Sequence, residues 1–452
     1  MRDTIAALAT PPGKSGVGVI RIAGPRALEL SGAVFTPEKA EMPDRMMVRG
    51  TIHNAEGGPI DHALGVFFKG PGSFTGDDVV ELHCHGSLPV LNSTLRLLYD
   101  VGVRPAEAGE FTKRAFLAGK MDLIQAEAIG ELIASETEEA AMNAVLQMDG
   151  VLSRELSGVY DLILNVLAHF QAMVDYPDED VAAFEIPDTA AALHSAAQRL
   201  ESLANDYERA KVLKEGVTCA IIGRPNVGKS SLLNTICGYD RAIVTPVAGT
   251  TRDVVEVTAN LGGLVLRLQD TAGIRKARDQ VEHIGITKAL AAAKGAALLI
   301  LVINASEPLQ DEDMQVIDAT MGHSQAIVVL NNISGERVLT PEDFSNDFSY
   351  ICEVDAKGGE GVDAIVKTVH RLYNTEGLRH DGTLITNARQ QAACKNTASV
   401  LGETAEALSS GVSPDMVLLD VEEAMRSLAD LLGKDVSADL LDKVFSNFCI
   451  GK

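Results

Sequence analysis

"GVTCAIIGRPNVGKSSLLNTI", residues 216–236, decides the fold of this chain. An apolar, β-prone run up to Ile222 gives way to Gly223–Ser230, which matches G-x-x-x-x-G-K-[ST], and "SSLLNTI" then reads as a helix. Strand, glycine turn and helix in that order form the context in which the motif cradles phosphate. Its glycines let backbone N–H groups face phosphate oxygens at a helix N-terminus. Lys229 neutralises charge on the β- and γ-phosphates and Ser230 offers a hydroxyl to Mg²⁺. Asn226, Val227, Gly228 and Ser231 belong to the same nucleotide-binding loop.

Two stretches downstream supply the rest of a Mg–triphosphate site. In "LRLQDTAG" (266–273) a strand ends at Asp270, placed to reach the Mg²⁺ shell; Thr271 and Ala272 follow, and Gly273 leaves its N–H free for the γ-phosphate. "AGTTRD" (248–253) contributes Thr250 and Thr251, the latter as a switch threonine for Mg²⁺. Ile274 stands where related nucleotide hydrolases carry a water-orienting glutamine, so another side chain must take that task. Asp279, Gln280 and Glu282 are the nearby choices. A positive charge at the developing transition state could come from Arg252, Arg275, Arg278 or a bound monovalent cation, and the residues alone do not choose.

The chain has 452 residues, is 46% hydrophobic and 23% charged, and can therefore bury cores in two or three domains. No apolar run is long enough to span a bilayer, and no signal-peptide h-region opens the sequence. Six scattered cysteines without a CxxC pair suit reduced thiols in a cytoplasm. A net charge of −24 argues against a stand-alone nucleic-acid binder; RNA would need a local basic patch or a basic partner. Residues 1–118 mix short strands with a helix around "LPVLNSTLRLLYDVG" and read as an α+β domain. From 119 to 214, Leu152, Leu156, Val159, Ile163, Val166, Phe170 and Met173 form a helical seam that should end near Pro177, and a second helix carries Leu193, Leu200, Leu203 and Tyr207. Residues 215–376 alternate strands and helices, and helical texture returns over 377–452. The fold class is thus multi-domain: an N-terminal α+β domain, a helical bundle built from 119–214 with 377–452, and an inserted Ras-like P-loop α/β domain.

"HCH" (83–85) looks like a metal cluster, but on a strand His83 and His85 share one face and Cys84 points to the other. A structural role is the better reading.

"AFLAGKMDLIQAEAI", "VDYPDEDV", "DTAGIRKARDQVEHIGI" and the terminal "DLLDKVFSNFCIGK" join the three nucleotide motifs in a pattern that resembles, end to end, the MnmE (TrmE) family of tRNA wobble-uridine modification GTPases. The resemblance implies GTP hydrolysis activated by K⁺, with Mg²⁺, in a cytoplasmic homodimer held through a folate-binding N-terminal domain. It implies a one-carbon unit from a tetrahydrofolate derivative (5-formyl- or 5,10-methylene-tetrahydrofolate). It further implies an FAD- and NADH-dependent MnmG-type partner in a heterotetramer that modifies C5 of U34, with tRNA engaged through the complex and no membrane. By motif, Asn226 with the carbonyls of Thr245, Val247 and Thr250 would ligate K⁺, and Glu282 would orient the attacking water. Arg21, Glu81, Lys120 and Lys452 would bind folate; an acidic tail suits the cations, and a carboxylate can accept from the pterin edge. Cys449 is a nucleophile candidate, with a small buried hydrophobe as its alternative.

The chain departs from the family where guanine is read. The pattern Asn-Lys-x-Asp appears here as Asn331-Asn332-Ile333-Ser334, and Ser-Ala-Lys as Asp355-Ala356-Lys357. Asp355 is expected to supply a substitute carboxylate, with Ala356 N–H facing O6; the alternative is a solvated aspartate. The competing functions are a folate-binding scaffold with a degenerate, weakly guanine-specific G domain, and a ribosome-assembly GTPase, which would not need "FCIGK".

Overall fold

A computed structural model describes residues 3–38, 41–175, 186–239, 257–268, 295–323, 325–378 and 381–452. The chain divides into two compact units, residues 1–133, 144–197 and 396–452 forming one, and 134–143 with 198–395 the other.

The first unit holds a seven-stranded sheet of β1 (Ile5–Leu8), β2 (Ser15–Ala23), β3 (Phe35–Pro37), β4 (Met47–His53), β5 (Pro59–Phe68), β6 (Val79–Gly86) and β7 (Arg104–Pro105). Their spatial order is β3-β4-β5-β6-β2-β1-β7. Pairing is antiparallel except between β1 and β7. Side chains alternate across the pleat. Ile20, Ile22, Ile52, Val80 and Leu82 point into a core closed by Leu91 and Leu98 of the helix Leu88–Asp100. In β6, Cys84 is buried and His85 exposed, as the alternation requires. The helix Val151–Asp175 buries Leu152, Leu156, Val159, Ile163, Val166 and Phe170 as a single seam and packs along Pro414–Leu432. Leu193, Leu200 and Leu203 lie on the helix Ile186–Asn205, but Tyr207 opens a separate helix, Tyr207–Glu215, after the break at Asp206. A single continuous stripe had suggested one helix.

The second unit is built on β8 (Val217–Ile222), β9 (Val257–Asn260), β10 (Val265–Leu268), β11 (Leu298–Asn304), β12 (Ala326–Asn331) and β13 (Ile351–Val354). The order is β13-β12-β11-β8-β10-β9, parallel except for β9. Every residue of β11 and of β12 is buried, because helices cover both faces of such a sheet. Ile300, Val302, Ile327 and Val329 face the helices Lys229–Tyr239 and Val362–Leu372; Leu299, Leu301, Val328 and Leu330 face Asp311–Thr320. The first of these cores extends to Ala210, Leu213, Leu378 and Leu384. β8 has β10 on one side and β11 on the other, so strand order reverses there. The crevice beyond its carboxyl end is where open α/β sheets bind ligands.

Candidate nucleotide site

The phosphate loop leaves β8 at Gly223 and enters the helix at Lys229. Two glycines are required by geometry. Gly223 has φ of +148°, and a Cβ there would lie 2.4 Å from the carbonyl oxygen of Val302. Gly228 has φ of +100°, and its Cβ would lie 2.0 Å from Asn331 Nδ2. Asn226 sits between them in the left-handed region at φ of +64°, which asparagine tolerates better than most residues.

Asn331, the last residue of β12, ties three loops together. Its Nδ2 donates to Val227 O (2.8 Å) in the phosphate loop, and its Oδ1 accepts from Ala356 N (2.9 Å) after β13. Thr235 Oγ1, on the helix that follows the phosphate loop, donates to Ala356 O at 2.6 Å. The Ala356 N–H expected to face the base is therefore engaged by Asn331 in this arrangement. Lys357 N and Gly358 N both donate to Asp355 Oδ1, at 3.0 and 3.1 Å.

Sequence reasoning missed a polar rim. Arg224, inside the phosphate loop, is buried and pairs with Asp313 Oδ2 at 2.9 Å and with Glu307. Glu307 accepts from Asn304 Nδ2 at 2.8 Å, and Asn304 Oδ1 accepts from Asn332 Nδ2 at 2.8 Å. The residue that replaces the expected lysine thus braces the loop from φ of +66°, in the left-handed region. Arg224 occupies a variable position of the motif, and its partners lie more than 80 residues away, so no local signal announced them.

Lys229 Nζ donates to the carbonyls of Gly223 (2.8 Å) and Arg224 (2.6 Å). Burial, with the charge of Arg224 adding to it, lowers its pKa to about 8. A bound triphosphate stabilises the protonated ammonium, so above that pKa binding must take up a proton. Nucleotide affinity should be flat below about pH 7 and fall by up to about tenfold per pH unit as pH rises through the range above 8. Titration calorimetry in buffers of different ionisation enthalpy reads the uptake directly. Equal affinity at pH 7 and pH 9.5 would contradict it.

Thr245, Val247, Thr250, Thr251, Asp270, Thr271, Ala272, Gly273 and Glu282 lie outside the described residues. So do the alternatives Arg252, Arg275, Arg278, Asp279 and Gln280.

In the first unit, strand register places Arg21 opposite Glu81, and Arg21 Nε meets Glu81 Oε1 at 2.8 Å. The C-terminal tail reaches the same spot. Arg21 Nη1 donates to Gly451 O at 3.4 Å, and Phe111 N donates to Lys452 O at 3.2 Å. The guanidinium carbon stands 5.7 Å from the Phe111 ring centre, and His83 Nε2 lies 3.4 Å from Glu81 Oε2. Arg21, Glu81 and the end of the chain are thus brought together, whereas Lys120 Nζ donates to the carbonyl of Pro71. His83 was detectable as the same-face neighbour of Glu81; Phe111 was not. Cys449 is exposed, so the buried-hydrophobe alternative does not describe it. Among the described residues no group of three or more His, Cys, Asp or Glu could hold a metal, and no helix is long and apolar enough to cross a membrane.

Comparison with known proteins adds three findings. Residues 123–449 match the family model for the MnmE helical domain, and residues 4–120 the model for the GTP-binding protein TrmE N-terminus. Curated relatives called tRNA modification GTPase MnmE align along the whole chain. That of Natranaerobius thermophilus is 37% identical over 100% of this chain and 99% of its own, and that of Heliobacterium modesticaldum 39% over 100% and 99%. Among solved structures, Era of Aquifex aeolicus bound to GDP and AlF4⁻ matches at 26% identity over 41% of this chain and 66% of its own, with a TM-score of 0.27. That score is too low to argue from.

Proposed function

The chain belongs to the MnmE family of tRNA modification GTPases, and from that premise we propose that it is a K⁺-dependent GTP hydrolase that modifies the wobble uridine of tRNA. It would act with an MnmG-type partner carrying FAD and using NADH, and with a tetrahydrofolate one-carbon donor. The observation that carries the hydrolase reading is the junction at Asn331, which fastens the phosphate loop to the loop after β13 beside a half-buried lysine. Such a cradle fits a polyphosphate. It has no Cβ at two crowded points, and its one ammonium satisfies itself on main-chain carbonyls that phosphate oxygens can replace.

Mg²⁺ and K⁺, when bound, supply positive charge against the triphosphate; Ser230 and Thr251 would hold the first, and Asn226 with the carbonyls of Thr245, Val247 and Thr250 the second. The protein's own part is to orient. Lys229 would grip the β- and γ-phosphates, Gly273 N–H would meet the γ-phosphate, Asp270 would help hold Mg²⁺, and Glu282 would align the attacking water. In the other unit, Arg21, Glu81 and the tail at Lys452 would receive the folate, with Lys120 drawn from its Pro71 contact toward the acidic tail and Cys449 open to solvent beside it. The homodimer would be held through this unit, whose sheet exposes Met47 and Leu64 with Arg49 opposite the latter.

The test is single-turnover hydrolysis of GTP by the full-length protein in K⁺ and again in Na⁺. Hydrolysis should be fast only in K⁺, and Glu282→Ala should slow it by about 10²–10⁴-fold while leaving nucleotide affinity intact. Absence of K⁺-stimulated turnover at saturating GTP would remove the hydrolase reading and leave a folate-binding scaffold.

A further inference from the structure

The loops that follow β12 and β13 carry an exchange of residue types. Ser334 stands where a carboxylate is expected and Asp355 where a serine is expected, and the two side chains are hydrogen bonded, Ser334 Oγ donating to Asp355 Oδ2. Both loops leave the carboxyl ends of parallel strands, on the same sheet edge as the phosphate loop. β12 and β13 lie two and three strands from β8. At about 4.8 Å per strand that is roughly 10–14 Å, the reach of a nucleoside from its own phosphates. The pair therefore sits where the base of a bound nucleotide arrives.

Its surroundings fix its polarity. Asp355 Oδ1 accepts from two main-chain N–H groups, Lys357 and Gly358, which anchor the carboxylate. The Ser334 hydroxyl, and after it these N–H groups, hold the Asp355 carboxyl below the usual carboxylate range, so it is ionised and can only accept. The Ser334 loop is braced from below, where Arg337 Nε donates to Ile333 O at 3.1 Å and Arg337 Nη1 meets Glu353 Oε1 at 2.7 Å. Ser334 itself is exposed.

We propose that Ser334 and Asp355 act as a two-residue reader of the purine N–H edge. Asp355 takes the hydroxyl proton of Ser334 as a hydrogen bond, which leaves the serine oxygen facing the base with lone pairs only. That oxygen accepts from the N1–H and 2-amino group of guanine. Adenine presents the lone pair of N1 at the same edge and meets an acceptor with an acceptor. The chain of bonds from base to serine to carboxylate polarises cooperatively. Ser334 touches the base; Asp355 is a positioning residue that acts through it. The inference rests on the nucleotide-hydrolase reading of this site and deepens it by naming its base selectivity.

The experiment is equilibrium binding of the Mg²⁺ complexes of non-hydrolysable GTP, ITP and ATP analogues to the full-length protein. Wild type should favour GTP over ATP by at least about 100-fold and over ITP, which lacks the 2-amino group, by about tenfold. Ser334→Ala and Asp355→Ala should each reduce the GTP-over-ATP ratio by about 10–100-fold, and the double alanine variant should be no worse than either single. The exchanged variant Ser334→Asp/Asp355→Ser should regain the preference. General damage to the loops would weaken all three nucleotides alike and leave the ratios unchanged. Unchanged ratios in Asp355→Ala, or independent, additive effects of the two alanines, would overturn the relay. Wild type that hydrolyses GTP but binds ATP equally well would overturn the relay and spare the hydrolase; wild type that binds none of the three would overturn both.

Discussion

Gly228→Ala is expected to lower nucleotide affinity on the order of a thousandfold, a figure that follows from three local effects. The residue holds φ of +100°, where an L side chain is strained, and this costs about 1–3 kcal/mol. The new Cβ would lie 2.0 Å from Asn331 Nδ2, so the buried amide must move. Moving it breaks the bond to Val227 O and weakens the bond from Ala356 N, each contributing about 0.5–1.5 kcal/mol. The phosphate loop then loses its fastening to the loop that follows β13, and Lys229, the next residue, loses its direction. Gly238→Ala is the control. It lies in the helix Lys229–Tyr239, its Cβ would meet no described atom within 4 Å, and alanine there should be neutral or stabilise the helix by about 0.5–1 kcal/mol. Isothermal titration of GTP into both variants decides the matter. Wild-type affinity in Gly228→Ala would mean that the junction at Asn331 is not what holds the loop.

This effect was half legible before the structure. The motif required glycine at 228, since a backbone that approaches phosphate closely needs one. That the nearest obstacle is Asn331, the end of a strand two places along the sheet, could not be read from spacing. The same division holds elsewhere. The alternation of strands and helices over 215–376 was legible as texture; that β11 and β12 are buried along their whole length follows from the parallel sheet, whose two faces are both covered. The seam from Leu152 to Phe170 announced its helix by period alone. Periodicity fails where one stripe crosses a break, as at Asp206. It is silent about long-range polar contacts: Arg224 with Glu307 and Asp313, Ser334 with Asp355, and Arg21 with Gly451, which is 430 residues distant. Those contacts make up most of both candidate sites. Family resemblance, rather than pattern, pointed to Arg21 and Lys452.

Phe445→Ala is expected to give the largest stability loss, about 3–5 kcal/mol, and to carry the proposed folate site with it. Phe445 is 1% exposed and closes a cluster with Leu123, Ala126 and Leu441. Its ring centre lies 6.5 Å from that of Phe116 and 5.3 Å from that of Phe448. These contacts seat the helix Ala438–Phe445, and the seven residues after it form the tail that reaches Arg21. Apart from the Phe448 ring, the tail is held by main-chain contacts: Gly109 N donates to Cys449 O at 3.5 Å, and Ala108 and Ile450 form a single antiparallel bridge. Gly451 must keep φ of +99° against the carbonyl of Leu8, and Lys452 O is held by one bond from Phe111 N. An empty aromatic socket should therefore free the tail before it unfolds the sheet. The thermal midpoint should fall on the order of 10 °C, and tetrahydrofolate affinity should fall more than about tenfold even well below that midpoint, because Arg21 and Glu81 remain while Gly451 and Lys452 leave. Phe445→Leu, which refills most of the socket, should lose about 1–2 kcal/mol and keep the ligand. Calorimetry with a folate titration on the two variants separates the steps. A Phe445→Ala protein with wild-type stability would show that the aromatic cluster is not the anchor, and one that is destabilised but still binds folate normally would show that the tail is no part of that site.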